Sequence, residues 1–156
     1  MNNSTSGDII TVKPGTYIEN IKITKGNLTI RSESGNPDNT ILQAKNTGAN
    51  VLLLQGNYTK INGFKIIGAS KSSYAGINLS SFSNCIIENN KLLNNSRGIY
   101  LLRSNGNTVS KNNAANSGEY GIALQGSTGN TISGNTASDN QRGIYLGTSD
   151  GNMIIS

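Results

Sequence analysis

Histidine and tryptophan are absent from this chain of 156 residues, and cysteine occurs once, at Cys85. Without histidine, the side chain that most often serves as general base and metal ligand near neutral pH is missing. One cysteine excludes an internal disulfide. Aromatic residues make up only 5% of the chain, so the core is not the aromatic-rich kind of an ordinary globular domain. No apolar run reaches the roughly 18 residues of a membrane-spanning helix, and no membrane insertion is expected of this segment. No signal-peptide pattern precedes Gly7, so an export signal is expected to lie outside this stretch. Acidic residues are few: 8 Asp and Glu stand against 13 Lys and Arg, for a formal net charge of +5. That sign gives a weak attraction for acidic polymers. The basic residues are scattered rather than clustered, and nucleic acid is not an expected partner.

What the chain has in abundance is repetition. Gly76-Ile77-Asn78-Leu79, Gly98-Ile99-Tyr100-Leu101, Gly121-Ile122-Ala123-Leu124 and Gly143-Ile144-Tyr145-Leu146 recur at intervals of 22, 23 and 22 residues. A second marker runs between them: Asn84-Cys85-Ile86, Asn107-Thr108-Val109, Asn130-Thr131-Ile132 and Asn152-Met153-Ile154. A third column, Asn89, Asn112 and Asn135, follows in the same phase. Disordered chains do not hold aliphatic residues in register in this way. A period in the low twenties belongs to solenoids, whose units bury their apolar faces only by stacking on one another.

Apolar residues alternate with polar ones, as in Ile77 and Leu79 or Ile122 and Leu124, and no stretch holds a period of 3.6. The units are therefore strands joined by Gly and Asn corners. Like strands recurring without a reversing hairpin lie parallel, and parallel crossovers wind right-handed. The expected fold is all-β: a right-handed parallel β-helix, a solenoid of about six coils with 22–23 residues per coil in the C-terminal half. One domain over residues 1–156 is expected, with irregular coils over 1–70 and regular repeats over 71–156. Tyr17–Ile23 reads as a single strand, and Ile61–Ile67 completes a further coil. The chain stops inside a repeat without a polar cap. It is therefore expected to be a piece of a longer protein, and its last coil to be open to end-to-end self-association.

Several stretches carry a family resemblance. Gly7-Asp8-Ile9-Ile10-Thr11-Val12-Lys13-Pro14-Gly15-Thr16-Tyr17-Ile18-Glu19-Asn20, Leu28-Thr29-Ile30 and Ile61-Asn62-Gly63-Phe64 are similar to the opening of pectin lyase-like β-helix proteins. The Asn-Thr-Ile and Gly-Ile-Tyr-Leu repeats resemble the NosD-like, CASH-type repeats of carbohydrate-binding proteins and sugar hydrolases, including large surface proteins of methanogenic archaea. The resemblance covers nearly the whole chain and implies the β-helix fold and an extracellular or cell-surface location. Its members include enzymes, surface adhesins and a periplasmic copper-site maturation factor. Soft metals want His, Cys or Met, and this chain offers Cys85, Met1 and Met153 alone. No metal and no cofactor is expected. Alternation places Cys85 outward, in the column of Thr108 and Thr131, with a passive role.

Catalysis in pectinolytic β-helices needs carboxylates gathered on one sheet. Here Glu88, Glu119, Asp139 and Asp150 stand one per coil at different phases, so catalysis by this chain is not expected. Binding has a more specific signature. In the Gly-Ile-x-Leu strand Ile and Leu turn inward, so x faces solvent: Asn78, Tyr100, Ala123, Tyr145. The residue before Gly adds Arg97, Tyr120 and Arg142. Tyr rings and Arg or Asn donors in a column suit a polysaccharide or cell-envelope glycan. The expected ligand residues are Asn78, Arg97, Tyr100, Tyr120, Arg142 and Tyr145. Tyr also suits any exposed strand, so a structural spacer or assembly module stands beside carbohydrate binding. The β-helix part of a polysaccharide-active hydrolase or lyase is a third reading.

Overall fold

The computed structural model describes residues 4–155 and is a parallel β-helix with no α-helix among them. The coils stack into three parallel sheets, each of the first five contributing one strand to every sheet and the sixth meeting sheet B only through the bridge of Thr136 to Asn113. Sheet A stacks Ile9–Val12, Thr29–Ser32, Lys60–Asn62, Ile86–Glu88, Thr108–Ser110, Thr131–Ser133 and Met153–Ile155. Sheet B stacks Gly15–Ile18, Thr40–Gln43, Lys65–Ile67, Lys91–Leu93 and Asn113–Ala115. Sheet C stacks Ile21–Ile23, Leu52–Leu54, Ala75–Ser80, Arg97–Leu102, Tyr120–Gln125 and Arg142–Gly147. These make six coils and the first strand of a seventh. Tyr17–Ile23 is divided between two strands rather than forming one, and Ile61–Ile67 is divided between two strands parted at Gly63, whose φ of 82° turns the chain through a corner.

The interior is a set of aliphatic columns. Ile30, Ile61, Ile87, Val109 and Ile132 stack in sheet A, and Leu52, Ile77, Ile99 and Ile122 in sheet C. All are buried in one continuous core. Successive sheet A strands lie 31, 26, 22, 23 and 22 residues apart from Ile30 through Ile154. The extra length of the early coils goes into loops, including a short 3-10 turn at Pro37–Asn39. Asp38 in that turn pairs with Lys91 at 3.0 Å and Lys65 at 3.6 Å, strapping the loop across the outer face of sheet B.

At the corners, a residue with left-handed backbone is followed by one whose side chain turns inward. Asn89 (φ 53°), Lys111 (φ 54°) and Gly134 (φ 58°) precede Asn90, Asn112 and Asn135. The inward amides form a ladder: Asn90 Nδ2 donates to Asn112 Oδ1 at 3.1 Å, and Asn112 Nδ2 donates to Asn135 Oδ1 at 3.0 Å. The expected column of Asn89, Asn112 and Asn135 is therefore corrected by one residue, since Asn89 is the corner and Asn90 the rung. A second ladder runs through Asn107, Asn130 and Asn152. Its continuation in the preceding coil is Cys85, because Ile86 pairs with Thr108. Cys85 is thus 1% exposed rather than outward-facing. Its thiol donates to Gly56 O at 3.3 Å, and burial pushes its pKa up.

Candidate functional site

Sheet C carries the widest strands of the regular coils, and its register lines up the residues that the repeat singled out. Tyr100 pairs with Asn78 and Ala123, Ala123 with Tyr145, Arg97 with Tyr120 and Tyr120 with Arg142. Five of the six expected ligand residues form one continuous cluster. The Arg97 guanidinium lies 4.6 Å from the Tyr100 ring centre and 5.7 Å from that of Tyr120. Arg142 lies 5.6 Å from Tyr120 and 5.4 Å from Tyr145, and the Tyr120 and Tyr145 rings stack at 4.8 Å. Arg142 Nη1 also donates to the Tyr120 hydroxyl at 3.2 Å. Small Ala123 permits this: it lets the Tyr120 and Tyr145 rings close together, and Ala123 is itself fully buried.

Two expectations change at this face. Asn78 belongs to the column by register but is only 9% exposed, so it is not an open donor. The tyrosine ring faces are engaged by neighbouring guanidinium groups or by each other, so the ladder presents ring edges, hydroxyls and guanidinium N–H groups.

Glu119 holds the cluster in place, a role the sequence reading did not assign. It ends the turn before the Tyr120–Gln125 strand and reaches back over two coils. Its Oε2 accepts from Arg97 Nε at 2.8 Å, and its Oε1 accepts from the hydroxyls of Ser72 and Ser96 and from Ser73 N–H. Burial pushes the Glu119 carboxyl up, but these donors, Arg97 foremost, outweigh it and bring the pKa down to about 2. Arg97 is thereby fixed in orientation and its charge neutralised. Arg142 has no ion pair among the described residues and is exposed, which makes it the open cation of the face. The signal for Glu119 was its place one residue before Tyr120, but no repeat carries a second acid there.

Three other carboxylates are engaged at separate places. Glu88 pairs with Lys60 at 2.8 Å, Asp38 with Lys91 and Lys65, and Asp8 accepts from Thr5. In each case the partner holds the carboxyl below its ordinary pKa: Lys60 for Glu88, Lys91 for Asp38, and the Thr5 backbone N–H for Asp8. A carboxyl held ionised this way does not serve as a general acid near neutral pH.

The sequence model of the family described as "Periplasmic copper-binding protein (NosD)" matches residues 1–156. A copper site does not fit this chain: histidine is absent, Cys85 is buried with its thiol engaged, and Met153 lies on an outer strand away from it. Met1 lies outside the described residues. A cell surface glycoprotein of Methanothermus fervidus is 35% identical over 91 residues, covering 58% of this chain and 14% of that protein's length. Two solved structures share the fold. A candidate glycosyl hydrolase from Parabacteroides merdae superposes with a TM-score of 0.68 at 16% identity, over 94% of this chain and 80% of its own. An alginate lyase from Paenibacillus superposes with a TM-score of 0.63 at 18% identity, over 98% and 71%. At such identities the likeness is one of fold alone. With the family model matched from end to end and the β-helix observed, the chain belongs to the NosD family of β-helix repeat proteins.

Proposed function

We propose that this chain is a non-catalytic β-helix module of an exported, cell-surface protein and that it binds carbohydrate on the outer face of sheet C. Export is supported by the periplasmic description of the family and the cell-surface description of the Methanothermus relative. The observation that carries binding is the ladder of Arg97, Tyr100, Tyr120, Arg142 and Tyr145, a rigid outward row of alternating donors and aromatic edges. A glycan laid along the solenoid axis would meet one coil about every 4.8 Å. Arg and Tyr are the residue types that most often anchor binding surfaces. The dispersal of the carboxylates, with Asp38, Glu88 and Glu119 ion-paired, supports the non-catalytic half of the reading.

The test is a glycan array probed with the purified chain, followed by affinity measurements on the strongest binder. Replacing Tyr100 and Tyr145 together by Ala should weaken that binding by about 1–3 kcal/mol. Arg142→Ala should matter most for acidic glycans and in low salt, because its charge is the unpaired one.

A spacer or assembly role is the second reading, and the self-packing of the ladder favours it, since a stacked aromatic pair stabilises by about 0.5–1.5 kcal/mol beyond area burial. A double Tyr variant that loses stability, together with an array on which no glycan binds, would put this reading first.

A further inference from the structure

The turn from sheet C into sheet A repeats one backbone feature in every coil. Two residues before the paired start of each sheet A strand the backbone is left-handed: Asn27 (φ 54°), Tyr58 (φ 58°), Asn84 (φ 58°), Gly106 (φ 65°), Gly129 (φ 64°) and Gly151 (φ 64°). Asn and Gly are the residues that enter this region most readily. Tyr58 is the exception in its column, and a bulky residue is an outlier there. Packing does not explain it: the side chain is 62% exposed, and among the described residues its ring joins none of the stacks or cation contacts that engage Tyr100, Tyr120 and Tyr145. Backbone strain held without a packing return is a mark of functional sites.

The surroundings of Tyr58 are suited to a ligand. Its ring borders an open groove of about 680 Å³ shared with Ser6, Lys25, Asn27 and Asn57. Between these side chains lies the bare backbone of Gly26, and Gly26 and the buried Gly56 hold the two corners in close contact. A Cβ on Gly26 would lie 2.6 Å from Asn57 O, and one on Gly56 would collide with Lys25 O. Asn57 Oδ1 accepts from Ser83 N–H at 2.8 Å, which leaves its NH₂ group as a donor. Asn27 Nδ2 donates to Ser6 Oγ at 2.9 Å, which leaves its Oδ1 as an acceptor. An exposed aromatic ring, a stretch of glycine backbone and neutral amides of both polarities meet at one corner.

We infer that this corner is a second ligand site, separate from the sheet C ladder, and that it takes a neutral sugar ring. The C–H face of the sugar lies on Tyr58, and its hydroxyls exchange hydrogen bonds with Asn57 and Asn27. Uncharged amides recognise hydroxyls without the cost of an uncompensated charge. The single cation, Lys25, donates to Ser4 O at 2.5 Å, a charge density far below that of a phosphate-binding track.

The experiment is a titration of the isotope-labelled chain, followed by NMR. The neutral probes are cellohexaose, mannohexaose and the hexamer of N-acetylglucosamine, with oligogalacturonate and oligothymidylate as charged ones. At least one neutral probe should shift the resonances of Asn27, Asn57 and Tyr58. Tyr58→Asn should weaken that binding roughly tenfold or more and raise the melting temperature, since Asn suits the left-handed corner. Replacing Tyr100 and Tyr145 should leave binding at this corner unchanged, which separates its fate from that of the ladder. The inference is overturned if no neutral probe shifts the three residues, or if oligothymidylate alone does. Unchanged affinity with a lower melting temperature in Tyr58→Asn would make Tyr58 a packing residue and also overturn it.

Discussion

Asparagine does two opposite jobs in this chain, and the two are identical as letters. Asn84, Asn89 and Asn94 take the left-handed corner, whereas Asn90, Asn95 and Asn107 turn inward and accept from buried backbone N–H groups. The spacing of the repeats was legible, but which Asn of a pair is the rung depends on inter-coil register, which shifts by one residue at Asn84. That shift is why Cys85 looks exposed in the sequence and is buried in the fold. The site shows the same division. The column of Tyr100 and Tyr145 was legible because strand alternation fixes its direction. The clamp by Glu119 was not, because its partners Ser72 and Ser73 sit in an irregular loop two coils away. A carboxyl lowered from its ordinary 4.5 to about 2 contributes stability that is complete above about pH 4.5 and is lost as the pH falls toward 2. The wild type should therefore lose more stability over that window than Glu119→Gln, as measured by denaturant unfolding at stepped pH. Parallel curves would remove Glu119 as a clamp.

A coil is the smallest element with meaning here, and two features make it stackable. The first is the Gly of each Gly-Ile-x-Leu strand, which has ordinary strand φ but no room for a side chain. A Cβ on Gly121 would lie 2.6 Å from Asn140 Nδ2 and 2.7 Å from Gly143 O. Gly121→Ala should cost about 1–3 kcal/mol through this crowding, and a neutral effect on the unfolding midpoint would show that the coils are not so closely nested. The second is the amide ladder. Asn112 Oδ1 accepts from Asn90 N–H, and Asn112 Nδ2 donates to Ile87 O at 2.9 Å, all in the buried interior. Asn112→Ala orphans these groups at about 1–3 kcal/mol each. The loss of stability should exceed that of a corner Asn such as Asn94, and equal losses at the two positions would deny the ladder its role in stacking.

For the whole molecule, stacked coils turn a short repeat into an extended face, and that face is where binding of a linear polymer is proposed. Sheet C supplies that face because its strands in the regular coils are the widest and its register gathers Arg97, Tyr100, Tyr120, Arg142 and Tyr145 into one cluster. Far-ultraviolet circular dichroism should be that of β-structure, and Ile122→Asp, a charge placed in the stacked core, should unfold the domain. Whether the face functions as proposed is decided by where a bound glycan sits. Chemical-shift mapping with the strongest glycan from the array should perturb Arg97, Tyr100, Tyr120, Arg142 and Tyr145 together and leave the outer face of sheet B unmoved. A bound glycan that perturbs none of these five residues would contradict the assignment of sheet C as the binding face.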